Sequence, residues 1–310
     1  MNAIRILAVT LPCIVQSLAL AQAPANPPFV KEGKTQKISP HVYLIPDEKV
    51  GMVPNVGIIV GTRATLVVDP GMGLRSGQAV LREVEKISKN KTVYIVNTHF
   101  HPEHTTGDIA FPPSAKLIRS AAQQQDVEEM GMKWVAIFAA RSSMLTDVLQ
   151  GSTFRAPAEI FDKEKTLDLG GVRVKMLRLG PAHTRGDTAV FVENEGVLFS
   201  GDLAMKQLFP AFSTPQSRLS SWLTSLDALD ALRPTQVIGA HYDKGDAAII
   251  SAYRGFLTAL RDRVAEMKKQ GKSSDETATT LRAEFHGKYP DWDQPLRIHS
   301  AATAIYREIP

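Results

Sequence analysis

Cysteine is nearly missing from this chain: of 310 residues only Cys13 carries a thiol. An intrachain disulfide is therefore excluded, and Cys13 falls in an apolar leader, so the mature chain has no thiolate to offer a metal. An excess of one charge is lacking too. Lys and Arg total 36 against 32 Asp and Glu, a net charge of +4. That is too mild for the basic footprint of a nucleic-acid binder. A bilayer-length apolar run is also absent from the N-terminus, where the stretch from Ile6 to Leu20 is interrupted by Pro12 and Gln16 and falls below the roughly 18 to 20 residues needed to span. What remains is ordinary globular material, 44% apolar and 22% charged, enough for one large core or two modest ones.

The opening residues, with Arg5 ahead of the apolar stretch and small residues at Ala19 and Ala21, read as a secretory signal peptide over 1–21. The expected location is periplasmic or secreted, with no stable membrane anchor after cleavage. Loss of Arg5 leaves 35 basic residues against 32 acidic. Residues 22–37, Pro-rich at 23–33, form an extended lead-in. Short β-type runs follow at 41–45, 56–61 and 65–69, then a helical pattern at 78–87 carried by Val80, Leu81, Val84 and Ile87, then a strand at 92–97. Residues 120–149 read as helical. The second half repeats the style, with strands at 166–169, 172–179, 188–193 and 197–201, a helix at 219–232, a strand at 236–239 and a long helix at 247–269. Strands interleaved with helices imply α/β layering.

Histidines are few and unevenly placed. Of the eight, His99, His101 and His104 crowd into "NTHFHPEHTTG" (97–107), and His183 and His241 lie in the Gly-flanked segments "LGPAHTRGD" and "VIGAHYDKG". His99 and His101, two apart at a strand end, share a side. His104 fits the first turn of a helix opening at Pro102, where proline is tolerated. All three imidazoles can face one cavity, and imidazole is the commonest ligand of Zn²⁺ and its neighbours. Asp202 in "VLFSGDLA" and Glu103 between the histidines add carboxylates. Three histidines and a water suffice for one zinc, so five histidines and two acids imply two metals, with Asp202 bridging them. The same ligand set admits iron or manganese. His41, His286 and His299 belong to no such pattern and are assigned to the surface or to satisfied core positions.

The order "THFHPEH", "GPAHTRGDT", "LFSGDL" and "VIGAH", preceded by "NVGIIVGTRATLVVDPGMG" (55–73), resembles the metallo-β-lactamase superfamily over roughly 38–245. The resemblance implies an α/β fold, an αββα sandwich of two mixed β-sheets flanked by helices, with residues 246–310 as a C-terminal helical extension packed on the same domain. It also implies that His99, His101 and His183 hold the first metal, and that His104 and His241 hold the second with Asp202 between. Asp69 would stand beside the site, and Asp187 would stabilise its own turn. The chain departs from the family at Glu103, where the pattern has aspartate binding the second metal. The added methylene changes the reach of that carboxylate.

These readings converge on a secreted di-zinc hydrolase acting on a small molecule through hydroxide attack at a carbonyl. β-Lactam or lactone rings are placed first and a glyoxalase II-like thioesterase second. A di-iron oxidoreductase or a non-catalytic metal-binding module of the same fold is a further alternative. "HPE" (101–103) resembles the zinc-deaminase signature, but that also needs P-C-x-x-C, which is absent. Met52 and Val53 are expected in a mobile flap over the metals, and Trp134, Phe138 and Phe209 along the opening or in the core.

Overall fold

The computed structural model describes residues 27–310. The expected signal peptide, its cleavage point and residues 22–26 of the expected lead-in lie outside the described residues. A first sheet forms from β1 (Gln36–Lys37), β2 (Val42–Ile45), β3 (Val56–Val60) and β4 (Ala64–Val68), all antiparallel neighbours. Helix α1 (Gly73–Ile87) then crosses over to β5 (Thr92–Val96), parallel to β4. After α2 (Pro102–Thr105) the sheet continues in parallel with β6 (Lys116–Ser120). Helices α3 (Ala121–Asp126), α4 (Met132–Ala139) and α5 (Ser143–Leu149) follow, and β7 (Glu159–Phe161) closes the sheet. The strands of this seven-stranded sheet lie in sequence order.

The second sheet is an antiparallel meander of β8 (Glu164–Asp168), β9 (Arg173–Arg178), β10 (Thr188–Val192) and β11 (Val197–Gly201). A crossover through α6 (Leu219–Ala231) then places β12 (Gln236–Gly239) parallel to β11. Three helices end the chain: α7 (Ala248–Lys269), α8 (Ser274–Lys288) and α9 (Leu296–Glu308).

Side-chain alternation builds four layers from these elements. Leu66 and Val68 of β4 pack with Ile118, Val190, Phe199 and Ile238 between the two sheets. Val67, between them in sequence, faces the other way onto Val80 and Val84 of α1. On the far sheet Leu198 and Val237 meet Trp222, Phe256 and Leu260 of the helices beneath. Strands buried on both faces read as unbroken apolar runs, and β4, β10 and β11 are buried throughout. The architecture is the αββα sandwich. The C-terminal helices pack into the second sheet's outer core, where Ile250, Phe256, Leu281, Ile298 and Ile305 share one cluster with Leu198. No described helix is long and apolar enough to cross a membrane.

Two segments differ from their sequence patterns. Helix α1 starts at Gly73 rather than Gln78, because its first turn packs through small residues instead of apolar ones. A Cβ on Gly77 would lie 2.0 Å from the Gly107 carbonyl oxygen, so glycine is needed for that close approach. Residues 120–149 are several short helices and not one. Ser120 caps α3 by accepting from Gln123 N–H, a π-helical turn occupies Val127–Gly131, and Ser142 caps α5 by accepting from Leu145 N–H. Serine side chains terminate helices in this way by supplying an acceptor to the free first-turn N–H groups.

Candidate metal centre

The site lies along the edge where β4, β5, β11 and β12 end. Asp69 follows β4 with φ +54°, and its two carboxylate oxygens accept from Thr98 N–H and Thr98 O–H, each at 2.7 Å. This clamp ends β5 at Val96 and turns the chain into a loop. His99 and His101 therefore sit beyond the strand, not on its last residues as their spacing suggested. They converge all the same, His101 as the residue preceding α2 and His104 within it. On the second sheet, His183 lies between β9 and β10, and His241 follows β12. Asp202 follows Gly201, which has φ +59° and sits so close to Thr98 that a Cβ would be 2.8 Å from that residue's own. Glycine at 201 is what lets the two sheets' loops touch here.

The tautomers are set from outside the centre. His99 Nδ1 lies 3.2 Å from Thr98 Oγ1, His104 Nδ1 3.0 Å from Asp69, His183 Nδ1 2.7 Å from the Ala211 carbonyl and His241 Nδ1 2.8 Å from the Val53 carbonyl. Each Nδ1–H donates outward, so each Nε2 lone pair points inward. His101 turns its Nδ1 inward instead, 3.0 Å from His99 Nε2 and 3.2 Å from His183 Nε2. In a tetrahedral zinc site with Zn–N near 2.0–2.1 Å, ligand nitrogens stand about 3.3 Å apart. The trio has the spacing of ligands around a shared cation.

A second group gathers Glu103, His104 and His241, and Asp202 reaches both, with oxygens 3.5 Å from His183 Nε2 and 3.8 Å from His241 Nε2. Glu103 Oε1 lies 3.9 Å from His104 Nε2. Buried and without any hydrogen-bond partner are Glu103 Oε2, His104 Nε2 and Asp202 Oδ1. Orphaned polar atoms cost stability unless something coordinates them, and three of them at one point fit a cation. The ligand set, five histidines and two carboxylates, is that of a candidate di-metal site.

Burial and mutual repulsion hold His99 and His101 well below the usual imidazole range, and burial brings His183 down to about 4. His104 behaves oppositely: burial opposes its charge, but the Asp69 carboxylate prevails and lifts it to about 9. Glu103 is raised by burial, whereas Asp202 is held below the usual range because the surrounding histidines outweigh its burial.

Residues 50–241 match the profile of the metallo-beta-lactamase superfamily, more than half of the chain. The chain belongs to that superfamily. Its fold agrees: a metallo-beta-lactamase from Pontibacter korlensis superposes with a TM-score of 0.56 at 20% identity, over 72% of this chain and 98% of that one. The stereoselective inverting sec-alkylsulfatase Pisa1 from Pseudomonas sp. gives 0.67 at 16% identity over 88% of this chain and 49% of its own. Among curated proteins, a linear primary-alkylsulfatase from Pseudomonas sp. (strain ATCC 19151) is 22% identical over 264 residues, 74% of this chain. The chain spans about half the length of that relative.

Within this superfamily frame, all seven expected ligands and Asp69 come together at one edge. Asp187 holds its own turn, accepting from Thr184 N–H, Thr184 O–H and Ala182 N–H. His41 is exposed and pairs with Glu195, His286 is exposed and His299 is half-buried, all away from the centre. The Trp134 ring lies 4.3 Å from the His101 ring and tilted 34° to it, with Phe138 next to it. Phe209 instead packs in the aromatic core with Phe256 and Trp292. Met52 and Val53, expected as a flap, are buried, with Val53 supplying the acceptor that orients His241. Sequence reasoning missed Thr98, the Ala211 carbonyl and Asn97, whose amide donates to the His104 carbonyl and to Asp108. Backbone acceptors leave no signature in residue types, and Thr98 and Asn97 were legible only as neighbours of the histidines.

Proposed function

We propose that the chain is a secreted di-metal hydrolase, loaded with zinc, that uses water to cleave an ester or amide bond of a small molecule. The observation that carries this reading is the inward convergence of five imidazole lone pairs on buried, partnerless carboxylate and imidazole atoms. His99, His101 and His183 would hold one metal, Glu103, His104 and His241 the other, and Asp202 would lie between. Bound there, the cations would lower the pKa of water toward 7 and polarise the bond to be broken. The chain's own groups orient this assembly: Asp69 aims His104, the Val53 and Ala211 carbonyls aim His241 and His183, and Trp134 covers one side of His101. Such outer contacts fix ring orientation and raise ligand basicity.

For the substrate, a β-lactam or lactone ring comes first, and a β-lactam fits export to the periplasm, where such compounds act. A sulfate ester is the second reading, favoured because the curated relative is a linear primary-alkylsulfatase. Residues 22–310, loaded with zinc, should be assayed on nitrocefin, a homoserine lactone, an acyl-glutathione and an alkyl sulfate. Turnover of at least one, abolished by chelation and restored by zinc, is expected. A chain that holds its metals and turns over none of them contradicts the hydrolase reading, and iron with a visible absorption band would favour a redox role.

A further inference from the structure

The segment expected as a flap over the metals is pinned to the second sheet's turn. Between β2 and β3, residues 46–55 lie against the turn that carries His241, and two buried side chains, Asp47 and Asn55, join the two. The Asn55 amide donates to the Gly239 carbonyl at 2.9 Å and to the Tyr242 carbonyl at 2.7 Å. Its backbone N–H donates to the Ala240 carbonyl at 2.6 Å. Asn55 Oδ1 accepts from Asp47 N–H at 2.9 Å, and Asp47 Oδ2 in turn accepts from Tyr242 N–H at 2.8 Å. Gly239, Ala240 and Tyr242 are thus all held by one loop, and the residue they flank is His241.

Both stretches of backbone are held in a conformation that side chains disfavour. Tyr242 has φ +67°, and Glu48, Lys49 and Met52 in the facing loop have φ +52°, +56° and +65°. Non-glycine residues stay in this left-handed region only where their surroundings fix them. Asp47 contributes to that fixing on both sides, since its Oδ1 also accepts from Lys49 N–H at 3.0 Å. The same loop presents the Val53 carbonyl, 2.8 Å from His241 Nδ1. A carbonyl cannot be replaced, but the side chains that place it can. We propose that Asp47 and Asn55 are positioning residues for the second metal: they lock the Val53 carbonyl against His241, so that the ring keeps its Nδ1–H outward and its Nε2 lone pair with Glu103 and His104. Among the described residues no hydrogen bond joins this loop to His99, His101 or His183, so the first metal group is held independently of it. The inference rests on the di-metal reading of the site and not on what the site hydrolyses.

The test uses residues 22–310 labelled with ¹⁵N-histidine, first stripped of metal and observed by NMR, then titrated with zinc against a chromophoric chelator. In the stripped wild type the neutral His241 imidazole should carry its proton on Nδ1. In Asn55→Ala and Asp47→Ala that proton should divide between the two ring nitrogens. One zinc ion should be held about 10- to 100-fold less tightly in these variants, the range for losing an outer partner of a metal-bound histidine, with the other unchanged. Asp47→Asn keeps the shape and one acceptor oxygen, so it should show a smaller loss of the same kind, and it decides the question where an alanine variant does not fold. An unchanged His241 tautomer with both ions held as in wild type overturns the clamp. Equal weakening of both ions also overturns it, since a general loss of stability produces that. Two zinc ions, a variant-sensitive His241 and no turnover of any substrate would leave the clamp standing and remove the hydrolase reading. Turnover with both ions held identically in every variant would do the reverse.

Discussion

The two sheets hold their shares of the metal centre by different means. The first supplies His99, His101, Glu103 and His104 within six positions and aims them through side chains, chiefly Asp69 and Thr98. The second supplies His183, Asp202 and His241 from three separate loops and aims its histidines through backbone carbonyls of Ala211 and Val53. The first half is thus open to single substitutions in its supports. The second is exposed mainly through the ligands themselves, because a carbonyl cannot be mutated away.

Asp202 belongs to the second half and touches both metal groups, so Asp202→Asn should have the largest effect. Losses in kcat of at least about 10²-fold and of one metal are expected, measured by steady-state kinetics with elemental analysis. Glu103→Asp sharpens the comparison from the other side. Shortening the carboxylate withdraws it from His104 and His241, and since a displacement near 1 Å can cost about 10²-fold, activity is expected to fall by up to that amount. A rise would mean that glutamate detunes the site.

Asp69→Asn removes the acceptor that aims His104 and anchors Thr98 without removing a ligand. About 10- to 100-fold weaker metal affinity is expected, read by competition with a chromophoric chelator. No change would mean that the first half is held by something other than its side-chain supports.

The smallest effect is on the stability of the metal-free protein. His183 is depressed to about 4, so its contribution is present above the unfolded value near 6.5 and is lost as pH falls toward 4. His104 is raised to about 9, so its contribution is full below about 6.5 and is lost as pH rises through 9. Thermal unfolding of chelator-treated protein should follow these two contributions, and Asp69→Asn should reduce the alkaline decline by the part that His104 supplies.

Much of this contrast was legible in the sequence, and for a physical reason. Ligands must be particular residue types, so His99, His101, His104, His183, Asp202 and His241 stand out wherever they fall, and the two-sided burial of β4, β10 and β11 shows as unbroken apolar runs. The clamp that ends β5 at Val96 was hidden, because Asp69 and Thr98 are distant in sequence and ordinary in type. The division of 120–149 was blurred, since Ser120 and Ser142 cap helices only if the chain turns there.

Calorimetric titration of zinc into the chelator-stripped chain tests the central claim most directly. Two bound ions per chain are predicted, falling to one in Asp202→Asn. A single site, or none, in the wild-type chain would contradict the account.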